Sequence, residues 1–263
     1  MKFAFDVETT GLEGGSRAIE IAGVMFDGAV VLSRFETLIN PGMPIPADVT
    51  KINGITDAMV RDAPGTHEAL SSFFAWAGDT RMAVAQYAQY DTGIISWDAA
   101  RVGVAIPEGL QVIDTCAIAK ALGATKNNKI EALVEHYGIR REGAAHRAMS
   151  DADACMKVFV AMVCSIPPAA YGCRDWAQAG HDYAYFDPAF VPEASFLPHF
   201  VAEGASLSFS YEDDKGLKSE RAVVPYGWAL KGANHYFHGW CLLRDARRTF
   251  RTDRIIQILS AAA

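Results

Sequence analysis

The chain of 263 residues has no apolar run long enough to cross a bilayer as a helix. It shows no signal-peptide pattern, because Asp6 and Glu8 interrupt the apolar stretch that Phe3-Ala4-Phe5 begins. No membrane partner is therefore expected. The cysteines, Cys116, Cys155, Cys164, Cys173 and Cys241, are odd in number and never fall in a Cys-x-x-Cys spacing. That argues against a zinc site and against a disulfide framework, and reads as reduced thiols in a cytoplasmic protein. Internal repeats and low-complexity tracts are absent. Positive charge is also short: 24 Lys and Arg against 31 Asp and Glu give a net −7, which argues against a broad, non-specific nucleic-acid coat.

The deficit is uneven. Residues 205–263 carry a net +3, and the preceding part carries −10. Such an asymmetry points to two modules with different tasks. The rest of the composition is that of an ordinary soluble globular protein, and the length suits one large domain or a medium plus a small one.

The first part reads as α/β. Strands are expected at 2–7, 18–27 and 30–39, the last two joined by Asp27-Gly28, a hairpin signal. Pro41-Gly42-Met43-Pro44 marks a loop. Short helices follow near 47–52 and 57–61, and a longer one from 66 to 77. A short strand at 82–85, a helix from 92 to 102, a strand at 110–113 and a helix after Asp114 come next. Helical periodicity over 128–137 stops at Gly138, and a last helix spans 150–164 with Met156, Phe159, Val160 and Val163 on one face. Residues 166–204 are rich in proline and aromatics and read as a packed connector. From Leu207 onward the pattern is β-like: Leu207–Tyr211, a turn at Asp213–Gly216, Arg221–Pro225, His235–Leu243, and Thr249–Ile258.

The chemistry starts at Asp6-Val7-Glu8-Thr9-Thr10-Gly11-Leu12. Carboxylates two apart on a strand share a face, and two like charges on one face are costly without a cation between them. An oxygen-rich set of this kind favours Mg²⁺ or Mn²⁺ over Zn²⁺. A second signal is His146-Arg147-Ala148-Met149-Ser150-Asp151. Five positions on one helix would place His146 and Asp151 on different faces. The pattern instead puts His146 on the loop before a helix and Asp151 in its first turn, so that the histidine reaches over a metal that Asp151 helps to hold. A third acid stands near the 92–102 helix, either Asp91 or its competitor Asp98.

These pieces, in this order, resemble the DEDDh 3′→5′ exonucleases of the DnaQ-like and ribonuclease-T-like type, over about residues 1–165. Asp6 and Glu8 match the first motif, and His146 and Asp151 the third. Between them, Ile52-Asn53-Gly54-Ile55-Thr56 resembles the family's Gly-Ile-Thr segment, and Val112-Ile113-Asp114-Thr115 its Asp-Thr strand end. Leu133 through Tyr137-Gly138-Ile139 resembles the helix before the third motif. The second motif departs: the stretch reads Gln86-Tyr87-Ala88-Gln89-Tyr90-Asp91. The metal carboxylate Asp91 is kept and Tyr90 stands for Phe, but Gln86-Tyr87 replaces the usual His-Asn.

The resemblance implies a ribonuclease-H-like mixed sheet flanked by helices, and hydrolysis of phosphodiester bonds with two ions per site. It implies that Asp6 bridges the ions, that Glu8 and Asp151 complete one position, and that Asp91 supports the other. His146 is the natural general base, since an unperturbed imidazole titrates at about 6.5. Thr9 and Thr10 would contact the 3′-terminal nucleotide, and Leu12 and Ile55 would wedge against terminal bases. The expected partner is nucleic acid, DNA favoured and RNA open, and a homodimer is compatible with the sequence.

Residues 205–263 resemble a WYL domain, a small β-barrel related to SH3 and Sm folds. Its marks are Phe209-Ser210-Tyr211, Arg221–Pro225, Gly239-Trp240-Cys241, Arg244, and Arg248 through Ile255. The name-giving triplet is His235-Tyr236-Phe237 here. Tyr236, Arg248, Phe250, Arg251 and Arg254 are the candidate ligand contacts, guanidinium for phosphate and aromatic rings for bases. No helix-turn-helix precedes the module, which argues against a transcription factor. The leading expectation is an exonuclease; the alternative is a non-catalytic sensor of nucleic acid or nucleotide on the same fold.

Overall fold

The computed structural model describes residues 1–12, 15–163, 172–176, 206–231, 234–244 and 246–262. The chain divides into two compact units, Met1–Gly11 with Arg17–Tyr183, and Leu12–Ser16 with Ala184–Ala263.

In the first unit, β1 (Lys2–Thr9), β2 (Ala18–Asp27) and β3 (Val30–Leu38) form an antiparallel meander. The turn between β2 and β3 places Gly28 at φ +56°, a left-handed conformation that glycine takes without strain. Helices α1 (Ala47–Asn53), α2 (Asp57–Val60) and α3 (Thr66–Ala77) lead to β4 (Met82–Ala85), which pairs parallel with β1. Then come α4 (Ala88–Val102), β5 (Gln111–Asp114), α5 (Thr115–Leu122), α6 (Ile130–His136), α7 (Ala148–Val163) and β6 (Arg174–Asp175). The sheet order is β3-β2-β1-β4-β5-β6, with β1, β4 and β5 mutually parallel.

Alternation along β1 builds both layers. Phe3 and Phe5 face α3, where Phe73 meets Phe3 edge-on at 5.8 Å. On that side Gly23 of β2 leaves room for the Trp76 ring, which a Cβ at that position would approach to 2.5 Å and force to shift. Ala4, with Val24 and Phe26 of β2, faces α7 through Cys155, Phe159 and Met162. Each fully buried large apolar chain of this kind contributes about 1.5–3 kcal/mol. Asp6 and Glu8 continue the Ala4 face toward the end of β1.

The sequence-based elements stand with small shifts. Helix α4 starts four residues earlier than expected, at Ala88 rather than Thr92, because Tyr87 at φ +58° turns the chain directly out of β4. Part of the expected connector is sheet: β6 pairs with β5, and Trp176 is buried and stacks on Phe5 at 4.9 Å. Most of the remaining 166–204 stretch lies outside the described residues.

The second unit is a five-stranded antiparallel sheet in the order β10-β9-β8-β7-β11. Its strands are β7 (Ser206–Glu212), β8 (Lys218–Lys231), β9 (Asn234–Cys241), β10 (Ala246–Arg251) and β11 (Ile255–Ala262). The single strand expected over Thr249–Ile258 is two strands, broken by a 3-10 turn at Thr252–Arg254. Strict alternation in β7 sends Leu207, Phe209 and Tyr211 into a core with Val223, Cys241 and Phe250. Asp213 closes the β7–β8 turn by accepting the Lys215 and Leu217 N–H groups at 2.9 Å.

Cys116, Cys155, Cys173 and Cys241 are free thiols, and Cys164 lies outside the described residues. Among the described residues no helix is long and apolar enough to cross a membrane.

Candidate active site

The site forms where β1 leaves β4. The two strands pair only through Phe3–Ala83 and Ala4–Val84. Beyond that point the Val7 N–H no longer meets β4, and it donates to Asp91 Oδ1 at 3.2 Å. Asp91, buried in the first turn of α4, therefore sits against the stretch of β1 that carries Asp6 and Glu8. Asp98, the competitor, points elsewhere: it accepts the Ala18 N–H at 3.0 Å and pairs with Arg101 at 3.2 Å. Its role is to tie α4 to the start of β2.

From the other side α7 delivers Asp151 in its first turn, and His146 precedes the helix at φ +58°. One donor atom each from Glu8, His146 and Asp151 lie within 4.8 Å of one another. Arg141 pairs with Asp151, and its Nε donates to Ser150 Oγ at 3.1 Å.

Electrostatics show what this cluster lacks. Burial, then repulsion from Asp91, Glu8 and Glu20, pushes the Asp6 carboxyl well above the ordinary carboxylate range. Burial also raises Asp91, against the Val7 N–H bond that favours its charged form. Glu8 rises to about 7, chiefly through burial, although Asn53 Nδ2 donates to its Oε2 at 3.2 Å. Neighbouring carboxylates that resist ionisation together call for a cation. Cys155, close by, is pushed far up by burial and stays a neutral thiol. The available donors are carboxylate oxygens and one imidazole, a set whose chemistry suits a hard divalent ion, and Asp6, Glu8, Asp91 and Asp151 are the residues that could hold it.

The altered second motif is anchored. Thr115 Oγ1 donates to Gln86 Oε1 at 2.5 Å, and Gln86 Nε2 donates to the Asn128 carbonyl at 2.8 Å. The Tyr87 N–H donates to Asp114 Oδ1 at 3.0 Å. Tyr90 does more than stand for Phe. Its hydroxyl lies 2.6 Å from Thr9 Oγ1 and donates to the Gly11 carbonyl at 2.7 Å, joining the second motif to the first.

The expected substrate contacts lie in different surroundings. Ile55 is fully buried among Ile19, Ile45, Val49 and Val60, where it packs the core. Thr10 is buried, and its hydroxyl accepts the Arg17 N–H at 3.0 Å. Thr9 is buried too, held by Tyr90. Leu12 is exposed, as a base contact requires. In the second unit Phe250 is core, its ring edge-on to Phe209 and Tyr211 at 5.2 Å. Tyr236 and Arg251 face each other across β9 and β10, with Arg251 already paired to Asp253 at 2.6 Å. Arg248 is exposed and Arg254 half-buried.

Sequence reasoning missed Asn53, Glu20 and Arg147. Asn53 stood inside the Gly-Ile-Thr segment and Arg147 beside His146, so adjacency was the available signal.

Glu8, His146 and Asp151 converge at the end of an inner strand, with Asp6 and Asp91 beside them, on a ribonuclease-H-like sheet, and this arrangement follows the DEDDh plan that the sequence resembles. Residues 3–159 match the RNase_T family, described as exonuclease, and residues 197–259 match the WYL domain. The chain belongs to the RNase_T exonuclease family and carries a WYL domain. The DNA polymerase III subunit epsilon of Treponema pallidum is 36% identical over 182 residues, 67% of this chain and 82% of that protein. The PolC-type DNA polymerase III of Caldanaerobacter subterraneus is 34% identical over 161 residues, 60% of this chain. The chain spans only 11% of that relative's length. Among solved structures, the nuclease domain of 3′hExo bound to rAMP gives a TM-score of 0.58 at 14% identity, covering 66% of this chain and 96% of that one. Exonuclease I gives 0.56 at 14% identity, covering 91% of this chain and 55% of that one. At these identities the structural likeness concerns the fold.

Proposed function

We propose that the protein removes nucleotides from the 3′ end of single-stranded DNA, with His146 as general base and Mg²⁺ or Mn²⁺ as the ions. The observation that carries this reading is the convergence of Glu8, His146 and Asp151 donor atoms within 4.8 Å, beside the raised carboxyls of Asp6 and Asp91. Bound divalent ions would supply water activation and charge neutralisation at the leaving 3′ oxygen. The residues do the rest. Asp6, Glu8, Asp91 and Asp151 would hold the ions, and exposed His146 would take the proton of the attacking water. Leu12 offers an apolar surface to a terminal base.

DNA is favoured because curated relatives are DNA polymerase III components. Single strands are favoured because one structural relative, exonuclease I, is described in complex with a dA16 oligonucleotide and aligns over 91% of this chain. In the WYL unit, Arg248, Arg254 and Tyr236 are the proposed contacts to nucleic acid or a regulatory nucleotide. Degradation of 5′-labelled single-stranded DNA, duplex DNA and RNA in parallel tests the polymer and strand preference. Equal rates on all three would remove both preferences.

A further inference from the structure

Glu20 is a fully buried charge that the reaction above does not use. It stands on β2 directly opposite Glu8 of β1, so both side chains leave the sheet on the face covered by α7. Arg147 Nε lies 3.1 Å from both Glu20 oxygens, and its Nη2 donates to Oε1. Glu20 Oε2 also accepts the Ala148 N–H at 2.8 Å, one of the donors that a helix start leaves unsatisfied. A bidentate guanidinium pair of this kind fixes direction as well as distance. Residues 147 and 148 are thereby fixed to β2 immediately after His146.

His146 itself is exposed and sits at φ +58°, a conformation disfavoured for a residue with a Cβ. Packing does not orient an exposed ring. Its direction is set by the backbone on either side, and the anchor that follows it directly is the Glu20 clamp. The same strand pair carries Glu8, so one register position of the β1–β2 ladder references both Glu8 and the histidine.

We propose that Glu20 and Arg147 form a clamp that positions His146 beside Glu8 and Asp151, making Glu20 a positioning residue for the hydrolysis. The proposal rests on His146 acting as the base. The test is the single-turnover rate on 5′-labelled single-stranded DNA for the wild type, Glu20→Gln, His146→Ala and the double variant, with thermal melts and DNA binding beside each. Glu20→Gln should keep fold and binding and lose about 10–100-fold in rate, the range seen when a supporting hydrogen-bond partner is removed. In the His146→Ala background the same substitution should change the rate less than about twofold, because the group it positions is gone. Equal losses in both backgrounds, or a wild-type rate for Glu20→Gln, overturn the clamp. A wild-type rate for His146→Ala overturns the base assignment and the clamp with it, so the two failures are distinguishable.

Arg147→Gln gives an independent arm should Glu20→Gln fold poorly. It strands the buried carboxylate, so it should be the more damaging single change. Adding Glu20→Gln to it should restore part of the rate. A further loss by the full Glu20→Gln factor contradicts the pairing.

Discussion

Stripping the metal ions with a chelator should make the protein less stable as pH rises, and the carboxylate cluster sets the window. Burial raises Glu8 from 4.5 to about 7, and raises Asp6 and Asp91 in the same direction. The folded state therefore holds protons that the unfolded chain has already released. Stability is full below the unfolded value of 4.5 and falls as pH climbs through the folded value of about 7. Each tenfold gain in proton affinity on folding is worth roughly 1.4 kcal/mol, so Glu8 alone removes about 3 kcal/mol across that window. For a protein of this size that is a fall of roughly 6–12 °C in Tm. A divalent ion takes the place of the protons, so the gap between melts in Mn²⁺ and in EDTA should widen over the same range. Thermal melts of the whole chain from pH 4.5 to 7, with each additive, read this directly. Glu8→Gln should flatten the EDTA curve by its share. Flat EDTA melts in the wild type, or an unchanged slope in Glu8→Gln, would refute the electrostatic reasoning.

Asp91→Asn should abolish nucleotide release while raising the Tm of the chelated protein near neutral pH, because it removes a buried carboxyl whose ionisation folding opposes; a lower Tm would mean Asp91 is structural. Tyr90→Phe should cost about 1 kcal/mol in denaturant titration by deleting the bond to the Gly11 carbonyl and the Thr9 contact. No change would show that the link between the two motifs is idle. Ile55→Ala should destabilise by about 2–5 kcal/mol without altering which 3′-terminal base is preferred. Wild-type stability with a changed preference would return Ile55 to the substrate.

The convergence of Glu8, His146 and Asp151 was legible because its signals are local. A two-residue spacing on a strand fixes Asp6 and Glu8 to one face, and helix geometry forces His146 off the helix that carries Asp151. Asp91 and Asp98 were not separable from the residues themselves, since both lie on one amphipathic helix. What separates them is which distant N–H each meets, Val7 for Asp91 and Ala18 for Asp98, contacts 84 and 80 positions apart. The Glu20–Arg147 pair spans 127 positions and has no local pattern. The inward placement of Thr10, Ile55 and Phe250 was not legible either. They adjoin the motifs in sequence, yet alternation and turn geometry direct them inward, where they are buried.

The most direct measurement is digestion of 5′-labelled single-stranded DNA and a matching RNA with Mg²⁺, Mn²⁺ or EDTA, beside Asp6→Ala. A metal-dependent 3′→5′ exonuclease acting through Asp6 should give a ladder that shortens from the 3′ end, needs metal, vanishes in Asp6→Ala and forms faster on DNA. Intact polymers in the presence of metal, or a ladder that survives Asp6→Ala, would contradict that reading.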